Sequence, residues 1–219
     1  MIYKIFTNEQ VEDILSKFNN KKFVDGKNTQ NLSSIYDIKE NKEILINSKV
    51  DEYIASLLKD NTVIKKVYSP TKVKNRIYNN YTTDDFYDYH IDSFQSSDSK
   101  MLYNYGFTIS LSDDFEGGEF VLQTEAGEVG YKVGKGEIVI FPIIYPHKVS
   151  KVTAGCRKNI IGWFESKISY EQSFVLKNIQ ELVSVNLDLV KSNNTQPLFK
   201  EMLIKTALVQ NYLVTKWGF

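Results

Sequence analysis

The chain of 219 residues is short of cysteine, histidine and proline, with 1, 2 and 4 of them, and has no excess of either charge, 27 Lys and Arg facing 27 Asp and Glu. Each shortage excludes something. A lone thiol, Cys156, cannot close an internal disulfide or furnish a zinc site of several thiolates, so a reducing, cytoplasmic setting is expected. Balanced charge sets up no global field to gather polyanions, which argues against a nucleic-acid partner. No run approaches the roughly 20 apolar residues that span a bilayer, and the opening stretch Met1–Glu9 lacks the apolar core of a signal peptide. No membrane association is expected.

Apolar material is plentiful. It makes up 42% of the chain, aromatics alone 13%, enough for the packed core of one domain and too much for a disordered chain. Thr7 and Gln10 form a capping-box pattern ahead of Val11, Ile14, Leu15 and Phe18 at helical spacing, so a helix opens the chain. A second helical pattern runs through Val50, Ile54, Leu57 and Leu58 and stops near Asp60-Asn61. These define an N-terminal helical flank, residues 1–62.

Residues 63–166 carry short β-rich runs instead, predicted at 63–68, 73–78, 102–111, 119–124, 130–133, 138–141 and 159–164. Gly117-Gly118 and Lys135-Gly136 supply tight connections between them. Their number and spacing predict a sandwich or barrel. Residues 167–219 turn helical again. Ser169 and Gln172 make a second capping box before Phe174, Ile179, Leu182 and Val183. Beyond Pro197 the stripe Leu198, Met202, Val209, Leu213 and Trp217 is expected to pack on the barrel, or to pair two copies. A monomer or a homodimer through this tail follows.

The two histidines are placed informatively. In Tyr89-His90-Ile91-Asp92, alternation on an extended segment points His90 and Asp92 to one face. His147 follows the buried run Ile138-Val139-Ile140-Phe141-Pro142, where a neighbouring strand can bring it beside that pair. Two imidazoles and one carboxylate on one side of a cation leave the opposite positions open, the ligand set of non-haem Fe(II) oxygenases. A 2-oxo acid could chelate there, and its far carboxylate would want a fixed cation. Arg157, at the start of the run 159–164, suits that role better than Lys158, since its planar fork matches a carboxylate with two bonds.

With these residues on hand, the chain resembles the Fe(II)- and 2-oxoglutarate-dependent dioxygenases, specifically the prolyl 4-hydroxylase-like branch and the bacterial PKHD-type hydroxylases. The resemblance rests on His90-x-Asp92, His147 with Arg157 ten residues on, Tyr81 nine residues before His90, and Trp163 six residues after Arg157. The turn Phe115-Glu116-Gly117-Gly118-Glu119-Phe120 and the run Lys135-Gly136-Glu137-Ile138-Val139-Ile140-Phe141-Pro142 add to it, and it extends over about residues 20 to 219. It implies an α+β fold, mainly β: a double-stranded β-helix, or jelly roll, with N-terminal helices and a C-terminal helical tail. It implies Fe(II) on His90, Asp92 and His147, and 2-oxoglutarate held by Arg157, with Tyr81 adding a hydrogen bond and Trp163 lining the pocket. The reaction implied is hydroxylation of an aliphatic C–H by O2, coupled to conversion of 2-oxoglutarate to succinate and CO2, with ascorbate an optional reductant.

A peptidyl proline or another amino-acid side chain is the substrate the resemblance implies. A free small molecule is the alternative, and a non-catalytic jelly-roll binding module is the rival from another class. Asp92 leaves no vacated ligand position for a halide. Trp163 stands where nucleic-acid demethylases carry a second arginine, against a repair role. Thr82-Thr83-Asp84-Asp85 replaces the glycines that relatives carry, and with Asp88 this stretch reads as a solvated acidic loop, since it lacks the glycine and terminal glutamate of a calcium loop. Cys156 is expected to face away from the pocket.

Overall fold

A computed structural model of the chain describes residues 2–29, 39–93, 103–169 and 197–217, together with Gln172, Val175, Ile179 and Leu182. Helix α1 (Asn8–Ser16) begins at its capping box: Thr7 Oγ1 accepts the Gln10 N–H, and Gln10 Oε1 accepts the Thr7 N–H at 2.9 Å. Helix α2 (Ser48–Asp60) is capped by Asn47, whose Oδ1 accepts the Val50 N–H at 3.2 Å. Their buried faces are Val11 and Ile14 in α1, and Val50, Ile54 and Leu58 in α2.

The run 63–68, expected as a strand, is instead helix α3 (Thr62–Tyr68). Its β-branched residues favour a strand, but Ile64, Val67 and Tyr68 stand at i, i+3 and i+4, and all three are buried. Burying one helical face outweighs a β preference worth about 1 kcal/mol at most.

The strands are β1 (Ile2–Lys4), β2 (Val24–Asp25), β3 (Lys39–Glu40), β4 (Lys42–Leu45), β5 (Pro70–Tyr81), β6 (Phe86–His90) and β7 (Tyr105–Ser110). Then follow β8 (Phe115–Gly117), β9 (Phe120–Thr124), β10 (Gly127–Tyr131), β11 (Glu137–Pro142), β12 (His147–Val149), β13 (Val152–Gly155) and β14 (Arg157–Ser166). The larger sheet has the order β1-β11-β7-β14-β5-β4-β2 and the smaller β10-β9-β12-β6-β3, while β13 and β8 pair separately. From β5 onward the chain alternates between the two large sheets: β5, β7, β11 and β14 lie in one, and β6, β9 with β10, and β12 in the other. That alternation of antiparallel strands is the double-stranded β-helix. Its centre is mainly apolar: Tyr105, Phe107 and Ile109 of β7 are buried, as are Ile138 to Pro142 of β11, with the polar Thr108 and Ser110 among them.

Strands β1 to β4 lie in the stretch expected to be a helical flank. All four are four residues or fewer with exposed or mixed burial, too short to show a period in the sequence. By proximity the chain forms one unit of residues 1–62 and 70–166, which holds the sheets, and a second of 63–69 and 167–219. In the second unit the Ser169–Gln172 capping box is present, with Gln172 Oε1 accepting the Ser169 N–H at 2.8 Å. Phe174 and Val183 lie outside the described residues.

Helix α4 (Pro197–Trp217) starts at Pro197 as expected; of the expected stripe Leu213 is half-buried, Met202 and Val209 are exposed, and the side chains of Leu198 and Trp217 lie outside the described residues. Leu203, Thr206, Ala207, Gln210, Leu213 and Val214 are half-buried at helical spacing. Apolar residues surround this helix almost completely, so periodicity alone does not choose a face. Among the described residues, no helix is long and apolar enough to cross a membrane.

Candidate metal centre and its cavity

The turn from β5 to β6 is built from the acidic loop. Asp85 Oδ2 accepts both the Thr82 N–H, at 2.8 Å, and the Thr82 hydroxyl, at 3.1 Å, and Asp84 takes φ +74°. Strand β12 then runs antiparallel to β6 with His147 opposite His90. The next pairing is Val149 with Tyr87, so three steps along β6 face two along β12. This bulge turns His90 onto the inward face that Tyr87 already occupies, and the two rings stack at 3.6 Å and 9°.

His90, Asp92 and His147 meet at one end of the cavity, with one ligand-type atom from each within 4.8 Å of the others. His90 Nε2 lies 3.7 Å from Asp92 Oδ1, and His147 Nε2 lies 3.4 Å from Asp92 Oδ2. The Nδ1 atoms face backbone carbonyls, those of Asp88 at 2.9 Å and Tyr145 at 3.1 Å. A carbonyl only accepts, so each Nδ1 carries a proton, and the Nε2 atoms are left to face the centre. The Trp163 indole N–H donates to Asp92 Oδ2 at 2.7 Å. Phe141 and Phe120 back the His147 ring at 4.6 and 5.5 Å.

Burial, helped by the neighbouring His147, depresses the His90 imidazole to about 4, which keeps it neutral at physiological pH. Burial alone would raise the Asp92 carboxyl. The adjoining His147, then His90 and the Trp163 N–H, outweigh burial and hold it below its ordinary value. Two imidazole nitrogens and a carboxylate, each held from behind by another group, suit a divalent transition metal.

The same cavity, of about 70 Å3, reaches Arg157, Tyr81, Asn159 and Thr108. Arg157 opposes Tyr81 in the β14–β5 register, and its guanidinium lies 5.2 Å from the centre of that ring. It is 3% exposed, and among the described residues no carboxylate pairs with it. Its Nη1 donates to Asn159 Oδ1 at 2.6 Å, and Asn159 donates in turn to Thr108 Oγ1 at 2.9 Å. Burial pulls the guanidinium below its usual value, with Tyr81 opposing the shift. Burial also raises the Tyr81 phenol. Gly118, with φ +60°, makes room for the arginine: a Cβ there would stand 2.9 Å from Arg157 Cδ. Gly118 of this turn therefore touches the site as well as shaping the fold, whereas Gly117 faces the Lys151 backbone.

All six residues singled out in the sequence line this one cavity. Trp163 lines the cavity as expected and in addition holds Asp92. Cys156 points elsewhere, donating to Asn80 Oδ1 at 2.7 Å. Sequence reasoning missed Asn159, although its position two residues past Arg157 on one strand placed it on the same face. It also missed Tyr87 and Lys39, which carried no detectable signal: one inward position depends on the bulge, and the other stands on a two-residue strand.

A family model for the 2OG-Fe(II) oxygenase superfamily matches residues 77–165. The chain is 30% identical over 202 residues to a PKHD-type hydroxylase of Idiomarina loihiensis, covering 88% of this chain and 89% of that one. Among solved structures it is similar to a prolyl hydroxylase from Trichoplax adhaerens in complex with a hypoxia inducible factor oxygen degradation domain peptide fragment. The TM-score is 0.59 at 18% identity, over 76% of this chain and 83% of that one. It is similar also to HygX from Streptomyces hygroscopicus with nickel, 2-oxoglutarate and hygromycin B bound, with a TM-score of 0.56 at 13% identity, over 77% of this chain and 84% of that one. Both structures share the fold. The relative that spans most of both chains goes further, and by it the chain belongs to the PKHD-type, prolyl 4-hydroxylase-like branch of the 2OG-Fe(II) oxygenases and is a 2-oxoglutarate-dependent dioxygenase.

Proposed function

We propose that His90, Asp92 and His147 hold Fe(II), that Arg157 grips the far carboxylate of 2-oxoglutarate, and that the enzyme hydroxylates an aliphatic C–H of a peptidyl proline or another amino-acid side chain. One observation carries this reading. A buried guanidinium without a carboxylate partner among the described residues shares a cavity with three clustered metal-ligand side chains. A buried charge left unpaired is costly, so such an arginine signals an anionic ligand.

Bound together, Fe(II) and 2-oxoglutarate supply O2 activation coupled to loss of CO2 and formation of succinate, with ascorbate an optional reductant. The chain's own part is to position and to exclude water. The carbonyls of Asp88 and Tyr145 aim the two Nε2 atoms, and the Trp163 N–H stops the Asp92 carboxylate from rotating. Asn159, braced by Thr108, takes one guanidinium donor and leaves the others for a carboxylate. Tyr81 closes the wall beside it, and Phe107, Phe120 and Phe141 keep the cavity dry. The single cysteine suits a reducing compartment, so we place the reaction in the cytoplasm.

The Trichoplax adhaerens structure, with its bound peptide fragment, supports a peptide substrate. The HygX structure, with hygromycin B bound, favours the second reading, a free small molecule. The test is succinate formation dependent on Fe(II) and 2-oxoglutarate, followed by screening proline-containing peptides and small metabolites for gain of one oxygen atom by mass. A purified protein that binds Fe(II) yet never turns over 2-oxoglutarate overturns the proposal.

A further inference from the structure

Behind His90 stands a column of three groups. The Tyr87 ring covers His90 at 3.6 Å, and Lys39 Nζ lies 4.6 Å from the centre of the Tyr87 ring. Lys39 is the register partner of Tyr87 across β3 and β6, so the column is built by strand pairing. The ammonium is 2% exposed and pairs with Glu43, 0% exposed, at 2.5 Å. Thr29 ties the two together, accepting from Lys39 Nζ at 2.8 Å and donating to Glu43 Oε2 at 2.6 Å.

A buried ion pair is a poor way to gain stability, since apolar residues of like volume serve as well or better. This one sits against the wall of the metal cavity, where Thr29 and Lys39 themselves form part of the lining. The bulge leaves Tyr87 and His90 on a stretch of β6 where the regular ladder is broken. The Nδ1–H bond to Asp88 aims the His90 ring within its own plane but does not stop it from tilting. A cation held over the outer face of an aromatic ring fixes that ring, and the ring fixes the imidazole stacked on it.

We propose that Lys39, anchored by Glu43 and Thr29, is a positioning residue for the metal ligand His90 and acts through the Tyr87 ring. The proposal rests on the metal-site reading above. It predicts that the column tunes metal affinity and ligand geometry without touching the ion.

The test is anaerobic Co(II) titration of the full-length metal-free protein without 2-oxoglutarate, following the ligand-field bands, for wild type and three variants. The paired change K39M/E43Q removes both charges together, Y87L removes the ring, and K39R keeps a cation over it. Loss of a group that holds a metal-binding side chain from behind typically costs about 10–100-fold in metal affinity. K39M/E43Q and Y87L should therefore bind Co(II) at least about tenfold more weakly, with altered bands, while K39R stays near wild type. Circular dichroism and thermal midpoints establish that each variant is folded. Should K39M/E43Q fail to fold, Y87L decides. A folded variant that binds Co(II) as tightly as wild type with the same bands overturns the proposal and leaves the metal site standing. Weaker 2-oxoglutarate binding with unchanged Co(II) affinity also overturns it, in favour of direct contact. A wild-type protein that binds no Co(II) removes both readings.

Discussion

The indole N–H of Trp163 donates to Oδ2 of Asp92 at 2.7 Å, which ties the last strand of the jelly roll to the carboxylate of the candidate metal centre. Trp163→Phe keeps an aromatic side chain, though a smaller one, and deletes the donor. It should weaken Fe(II) or Co(II) affinity by roughly 10–100-fold with little change in thermal midpoint. Isothermal titration of the metal-free protein checks this, and an unchanged affinity would show that Asp92 needs no such tether.

Arg157 is the only candidate for gripping the far carboxylate that the cavity offers without a carboxylate already paired to it, among the described residues. Arg157→Met keeps most of the volume and removes the charge. The KM for 2-oxoglutarate should rise by roughly 10–100-fold, the loss expected for hydrogen bonds to a charged group. Metal affinity without 2-oxoglutarate should hold. A parallel loss of metal would instead mark Arg157 as a structural support of the whole cavity.

Gly118→Ala tests the turn that makes way for that arginine. A side chain at φ +60° costs about 1–2 kcal/mol, and the new Cβ presses on Arg157 Cδ. Both a lower thermal midpoint and a higher KM for 2-oxoglutarate are expected. A stability loss with an unchanged KM would confine the glycine to the fold.

His147→Ala should abolish stoichiometric metal binding and bring 2-oxoglutarate decarboxylation to background. Chelator treatment of wild type should do the same, reversibly on adding Fe(II). Residual turnover in the variant would mean the ion is held elsewhere.

Stability of the metal-free protein should fall as pH drops from about 6.5 to about 4. The folded His90 refuses a proton that the unfolded chain accepts throughout that window, so unfolding takes up protons and acid favours it. The contribution is complete above the unfolded value and is on the order of 3 kcal/mol by the size of the shift. Urea denaturation of wild type and His90→Gln at several pH values measures it. Equal slopes for the two proteins would refute the assignment.

Much of this was legible beforehand. Both N-terminal helices announced themselves through Thr7 with Gln10 and through the spacing of Val50, Ile54 and Leu58, because caps and stripes are local. The run 63–68 misled because β-branched residues and a helical burial pattern coincide there. The α4 stripe misled because a helix apolar all round has no preferred face until something covers it. Of the site, the six residues nominated from sequence line one cavity, and Asn159 was within reach of simple alternation.

Local chemistry along the chain was enough to nominate the ligand-type residues and the arginine, and to mark α1, α2 and α4 and the strands β5, β7, β9, β10, β11 and β14, since these depend on side-chain type and near-neighbour spacing. The pairing of His147 opposite His90, the bulge that brings Tyr87 against the imidazole, the Trp163–Asp92 bond and the buried Lys39–Glu43 pair were decided by tertiary structure. Each joins different strands, or depends on a register shift between them, and register is an outcome of the packed sheets that no local pattern encodes.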